Sequence, residues 1–195
     1  MNANRKKIIL ASQSPRRRML LEQIGIACDI VPSELDEEIF PGENPDHYAL
    51  RVALDKARSV AARTEGSIVI AADTIVVLDN AVLVKPVDQA DAVRMLTALS
   101  GRMHRVITGL AVIDTLTGQE LSRTSVTRVW FRVLDQETIV SYVASGEPLD
   151  KAGAYGIQGR GALFVDRIDG CYFNVVGLPL SLLSDLFRDL DIKVI

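Results

Sequence analysis

Residues 8–11 form an unbroken apolar run followed by a polar break at 12–14, which predicts a buried strand and a short loop. Ser14, Pro15 and Gly25 stand where an N-cap, a first helical position and a C-terminal cap are expected, so a helix is predicted between them. Met19, Leu20 and Ile24 make its apolar stripe, widened by Leu21. Residues 28–31 predict a second strand and residues 32–44 a loop. Asn44-Pro45 opens a helix on which Ala49, Val52, Ala53, Lys56, Ala57 and Val60 share one face. Residues 67–74 predict a strand covered on both faces, with Asp73 at its end. Residues 75–78 and 81–84 flank Asp79-Asn80 as a hairpin.

Asp88 then caps a helix whose apolar face is Ala92, Met95, Leu96 and Leu99, stopped by Gly101. A strand over residues 103–114 is expected to break at Thr108-Gly109. Residues 119–133 form a long alternating strand, with Val126, Arg128, Trp130 and Arg132 on one parity. Asp135 caps a helix through Ile139, Tyr142 and Val143 that ends at Gly146. Residues 147–161 are rich in glycine and read as a working loop carrying Asp150, Lys151 and Gln158, or more plainly as a connection. Residues 162–168 and 172–176 predict a hairpin over Asp169-Gly170, and Pro179 opens a last helix running to about Leu190.

Three features of this pattern point to chemistry. Arg16, Arg17 and Arg18 crowd a helix end whose dipole is already positive, a conflict that a bound anion reverses. With Ser12 and Ser14 beside them, strand, loop and helix N-terminus make a phosphate site. Lys56 intrudes on an apolar face; it either snorkels to water or aims into a charged cleft. Asp73, a carboxylate at the end of a buried strand with small neighbours, either caps a turn or faces a ligand crevice. The acid run Glu34, Asp36, Glu37 and Glu38 has the pattern of a solvated loop.

The chain's 195 residues suffice for one sizeable core or two small lobes. A net charge of −3 argues against a broad nucleic-acid-binding surface. Cys28 and Cys171 form no metal or redox pair and read as reduced core thiols, and His47 and His104 lack partners at zinc spacing. No P-loop or nucleophile-elbow motif occurs. No secretory signal or membrane span is seen, so the cytoplasm is the expected compartment. Cations on several loops with a strand-borne aspartate and nearby acids suit metal-assisted attack on a phosphate chain.

Six ordered motifs closely resemble the Maf family of nucleoside triphosphate pyrophosphatases: Leu10-Ala11-Ser12-x-Ser14-Pro15-Arg16-Arg17; Ala72-Asp73-Thr74; Lys85-Pro86; Leu99-Ser100-Gly101 with His104; residues 150–159; and Asn174-Val175-Val176-Gly177-Leu178-Pro179. The resemblance covers nearly the whole chain and implies a single domain over residues 1–195. It implies a Maf/ITPase-like mixed α/β fold, with a long twisted sheet flanked by helices and a cleft between two lobes. It implies hydrolysis of a nucleoside triphosphate to monophosphate and pyrophosphate with a divalent cation, Mg²⁺ or Mn²⁺, and a housekeeping or cell-division role.

Carried over residue by residue, the resemblance implies that Asp73 is the proton acceptor and, with Glu37, lies near the metal. Arg16, Thr74 and Gln158 match positions of substrate choice, in the types of a subgroup acting on dTTP and UTP. Lys56, Lys85 and Lys151 are expected on phosphate oxygens, beside Ser12 and Arg17. Gln13 departs from a common Ser-Gly-Ser. The competing readings are a sister subgroup's 7-methyl-GTP activity and a division regulator that binds nucleotide without turnover. No stable nucleic-acid or membrane partner is expected, and a homodimer is left open.

Overall fold

The computed structural model describes residues 6–35 and 37–192, so Asp36 of the acid run lies outside the described residues. The elements in order are β1 (Lys7–Leu10), α1 (Pro15–Gln23), β2 (Asp29–Ile30), α2 (Pro45–Ala61), β3 (Ser67–Leu78), β4 (Ala81–Leu83), α3 (Gln89–Leu99), β5 (Met103–Asp114), β6 (Gln119–Phe131), α4 (Gln136–Ala144), β7 (Val165–Asp169), α5 (Tyr172–Val176) and α6 (Leu180–Asp189). Short 3₁₀ turns at Glu147–Asp150, Ala152–Ala154 and Gly159–Phe164 fill the glycine-rich loop. The strands form a seven-stranded sheet in the order β2-β1-β3-β5-β6-β7, with β4 on β3. β1 pairs in parallel with β2 and β3, while β3–β4 and β6–β7 are antiparallel, so the sheet is mixed.

The chain divides into two compact units, and β3, β5 and β6 contribute to both. The first unit holds the chain up to Asp73, Thr108–Ser125 and the segment from Gly177. Its core includes Ile9, Ala11, Val69, Ala71, Ala111 and Ile113 from the sheet against Ala53, Ala57 and Val60 of α2. The second unit, Thr74–Ile107 and Val126–Val176, packs α3 and α4 around Val106, Val129, Phe131, Tyr155 and Phe164.

Local signals hold where the chemistry is local. Asn44 accepts from the Asp46 amide at 2.8 Å, Asp88 from Asp91 at 2.8 Å and Asp135 from Thr138 at 2.7 Å, each capping the helix expected there. Gly25 takes a positive φ of 74°, and the Gly25 and Ile26 amides return to Glu22 and Leu21 at 2.9 Å, closing α1 with a Schellman motif. Asp79 and Asn80, with φ of 48° and 69°, turn the expected hairpin.

Five expectations are corrected. Asp73 is in the middle of β3: the apolar run resumes at Ile75 and the strand ends only at the Asp79-Asn80 turn. β5 passes unbroken through Thr108-Gly109, because that glycine answers a close approach rather than a turn. A Cβ at Gly109 would stand 2.0 Å from the Ala49 carbonyl oxygen of α2. Residues 172–176 are the helix α5, not a strand. The Thr127 hydroxyl accepts from the Cys171 amide at 3.0 Å and from Asn174 Nδ2 at 2.9 Å, and this tertiary anchor overrides the strand preference of a Tyr-Phe-Asn-Val-Val run. Met19 is exposed, and Cys28 and Cys171 are free, half-buried thiols rather than core ones. Trp130 is half-buried under the Arg167 guanidinium, 3.8 Å from the ring centre.

His104 is buried in the second unit, where its Nε2 and the Tyr155 hydroxyl share a 2.7 Å hydrogen bond and the Phe131 ring stands edge-on at 4.9 Å. Burial pushes the imidazole down to about 4. The folded chain therefore refuses a proton that the unfolded chain accepts near its ordinary value of about 6.5. Stability from this residue is full above about pH 6.5 and is lost as pH falls toward 4, by up to about 3 kcal/mol. Urea unfolding of the chain and of His104→Gln across that range should show the difference between them shrinking as pH falls; a constant difference would contradict a neutral buried His104. Gly109→Ala should lower Tm by roughly 2–12 °C, since forced overpacking costs about 1–3 kcal/mol and each kcal/mol is worth about 2–4 °C in a chain of this length. A thermal melt checks this, and an unchanged Tm would contradict the close contact with α2.

Candidate active site

The first unit collects six of the residues singled out from the sequence: Ser12, Arg16, Arg17, Glu37, Lys56 and Asp73. α1 begins straight after β1, so its N-terminus opens at Ser12-Gln13-Ser14. Gln13 is exposed, and it is not among the residues of positive φ, so glycine is not required there. Ser14 caps α1 by its extended backbone without a side-chain hydrogen bond, and no acidic residue stands in the first turn. The buried Ser12 hydroxyl accepts from the Ser14 amide at 3.2 Å and from Arg17 Nη1 at 3.1 Å. Arg17 Nε donates to the Gly177 carbonyl at 2.8 Å.

The arginine triplet thus separates into three roles. Arg17 is turned inward. Burial lowers its pKa from the ordinary value, Asp73 and Glu37 oppose that fall, and Arg16 adds to it. Arg16 is half-buried beside it. Arg18 is exposed and pairs with Glu22 one turn on at 2.7 Å. Truncating Arg17 therefore removes its hydrogen bonds to Ser12 and to the Gly177 carbonyl.

Lys56 is not snorkelling. It is 7% exposed on α2, and its Nζ lies 2.7 Å from Asp73 Oδ1 and 2.6 Å from Glu37 Oε1. One ammonium thus bridges a buried carboxylate and a partly exposed one. Asp73 Oδ2 is buried without a hydrogen-bond partner. The loop that carries Glu37 is fastened to α2: the Tyr48 hydroxyl donates to the Glu37 carbonyl at 3.3 Å, and Arg51 donates to the Glu38 carbonyl at 2.9 Å and to both Glu43 oxygens at 2.7 and 2.8 Å. Arg51 also covers the Phe40 ring at 4.3 Å. Burial, helped by Asp73 and Glu37, pushes the Tyr48 phenol up to about 12, which keeps it a donor. The acid run is therefore not a simple solvated face, since one of its members reaches the buried lysine.

The remaining candidates lie in the second unit. Thr74 follows Asp73 on β3, half-buried and on the opposite face of the strand. Lys85 is exposed in the loop after β4. Lys151 Nζ donates to the Glu147 carbonyl and to Asp150 Oδ1, both at 2.5 Å, so its partners here are protein oxygens. Gln158 is half-buried with extended backbone just ahead of the turn Gly159–Phe164.

Sequence reasoning passed over the Gly177 carbonyl, Tyr48 and Glu147. Two local signals were available: Glu22 four residues after Arg18 marks the surface arginine, and Tyr48 lies on the apolar face of α2.

A helix N-terminus carrying arginines, beside carboxylates bridged by a lysine, defines an anion-binding α/β protein equipped for attack on a phosphate chain. The chain belongs to the Maf family: the profile described as Maf-like protein matches residues 7–190. Among its relatives are proteins named dTTP/UTP pyrophosphatase. That of Syntrophomonas wolfei is 55% identical over 172 residues, 88% of this chain and 91% of that protein. That of Geobacter sulfurreducens is 54% identical over 183 residues, covering 93% and 96%. That of Acetivibrio thermocellus is 49% identical over 196 residues, covering 97% and 98%. Among solved structures, a HAM1 protein from Coxiella burnetii superposes with a TM-score of 0.50 at 16% identity, over 94% of this chain and 99% of that one, and shares the fold alone.

The pairing of Lys56 with Asp73 gives a direct test of the site. Lys56→Met should leave Asp73 as an uncompensated buried charge and cost about 3 kcal/mol, and adding Asp73→Asn should recover most of that loss. Urea midpoints of the single and double variants measure it. A double variant no more stable than Lys56→Met alone would contradict the pairing.

Proposed function

We propose that this chain hydrolyses dTTP and UTP to the nucleoside monophosphate and pyrophosphate. Asp73 carries the reading: a buried carboxylate with one oxygen on Lys56 and the other unbonded, in a chain about half identical to dTTP/UTP pyrophosphatases. In this reading the α1 N-terminus, Ser12, Arg16 and Arg17 hold the phosphate chain, where amides and guanidinium groups offset its charge. Lys56 orients Asp73, so that Oδ2 receives a proton from a water attacking the α-phosphorus. The new bond joins water oxygen to that phosphorus, and the bond to the bridging oxygen of the β-phosphate breaks. Lys85, and Lys151 after exchanging its protein partners, neutralise the departing pyrophosphate.

Among the described residues, no three His, Cys, Asp or Glu side chains are grouped to hold a metal ion. The partly exposed Glu37 carboxylate, beside Asp73, nevertheless fits a hard divalent cation, which commonly takes one or two carboxylates together with substrate phosphates. Such a cation, Mg²⁺ or Mn²⁺, supplies Lewis-acid stabilisation of charge on the phosphate oxygens when bound. Gln158 reads the base, its amide matching the N–H and carbonyl edge shared by uracil and thymine. The substrate is a free nucleotide and the proposed place of action is the cytoplasm. Among the described residues no helix is long and apolar enough to cross a membrane.

Incubating purified protein with dTTP, UTP, CTP, GTP and 7-methyl-GTP should release pyrophosphate fastest from the first two. Orthophosphate as the first product, or preference for 7-methyl-GTP, would contradict the proposal. Asp73→Asn keeps the shape and leaves Lys56 its Glu37 partner, so the protein should fold while turnover falls at least ~10²-fold. EDTA should abolish activity and Mg²⁺ or Mn²⁺ restore it; full turnover in EDTA would remove the metal from the reaction.

A further inference from the structure

We infer that Glu147 is a positioning residue for Gln158 and through it sets the preference for thymine and uracil, an inference that rests on the base-reading role proposed above. A glutamine amide has no preference of its own between a uracil edge and a cytosine edge, because rotating it by half a turn exchanges donor and acceptor. Selectivity therefore depends on where the backbone frame carries the amide as well as on what neighbours its side chain, and that frame is what Glu147 holds.

The second unit fixes that frame through one carboxylate. Glu147 Oε1 accepts from the Tyr142 hydroxyl at 3.0 Å and from the Gly161 amide at 3.3 Å, and Oε2 accepts from the Arg160 amide at 3.2 Å. The Tyr142 hydroxyl in turn accepts from the Gly156 amide at 3.4 Å. Amides on both sides of Gln158 are thus gathered onto one phenol and one carboxylate. The segment has no slack. Gly159 has a φ of +70°, and a Cβ there would stand 3.0 Å from Glu147 Oε1. A Cβ at Gly161 would stand 2.4 Å from the Gly156 carbonyl oxygen. The Glu147 carbonyl also takes the Lys151 ammonium, whose stem lies against Gly156. One residue therefore holds both the base-reading glutamine's turn and a lysine of the same loop.

A carboxylate suits this position because both its oxygens accept and neither donates. Glutamine in its place would set an N–H against one of the three donors.

The test measures Kd for non-hydrolysable α,β-imido analogues of dTTP and CTP, with kcat/KM for the natural pair, on the wild-type chain and on Glu147→Ala, Glu147→Gln and Tyr142→Phe. Gln158→Glu serves as the reference for lost pyrimidine reading. The dTTP-over-CTP preference should fall about tenfold or more in Glu147→Ala, with Glu147→Gln and Tyr142→Phe intermediate. The loss should lie mainly in KM rather than kcat. Tyr142→Phe changes no backbone and keeps the test readable if Glu147→Ala fails to fold. A preference unchanged in these variants, even with a lowered Tm, would make Glu147 merely structural and overturn the inference, as would a wild-type preference near one. Absence of turnover in the wild-type chain would sink the hydrolysis proposal, while the Kd ratios would still decide this one.

Discussion

A carboxylate buried in the middle of a strand is the constraint to which the first unit answers. Asp73 is 4% exposed on β3, and an uncompensated charge there would cost several kcal/mol. The compensation comes from Lys56, which reaches it only because α2 lies across the sheet with that face inward. Lys56 is in turn shared with Glu37, and Glu37 is held by a loop that Tyr48 and Arg51 fasten to the same helix. Helix docking, loop order and charge burial are therefore one energetic problem in this protein. The helix that buries the apolar core is also the helix that makes the charged centre tolerable.

The second unit solves a different problem, that of holding a glycine-rich loop still. Its 3₁₀ turns supply few regular backbone bonds, and several of its residues take left-handed conformations. Order comes instead from side chains at the start of the segment and on α4, chiefly Glu147 and Tyr142. Flexibility of composition is thereby converted into a defined shape, since glycine permits the tight path and the carboxylate selects it.

The sequence was legible wherever cause and effect lie close together along the chain. The caps at Asn44, Asp88 and Asp135, the Schellman ending at Gly25 and the Asp79-Asn80 turn are each decided within a few residues. It was illegible where the deciding partner is remote. α5 forms because Thr127, on β6, holds Cys171 and Asn174. Gly109 lies within a strand because the Ala49 carbonyl of α2 occupies the space of a side chain. At the site, the oddness of Lys56 and of the arginine triplet was visible, but nothing local told Arg17's inward turn to Gly177. The mid-strand position of Asp73 was hidden by the polar Asp-Thr pair, which imitates a strand end.

The contact at Gly109 has a bearing on the chemistry of Asp73. Ala49 and Lys56 are two turns apart on one face of α2, so the helix rests on the sheet at one point and delivers its ammonium at another. The missing methyl at Gly109 acts as a spacer of zero thickness. It sets the height at which the helix rides, and hence where the Lys56 ammonium meets Asp73. The placing of this ammonium is thus written partly in an atom that a strand residue lacks.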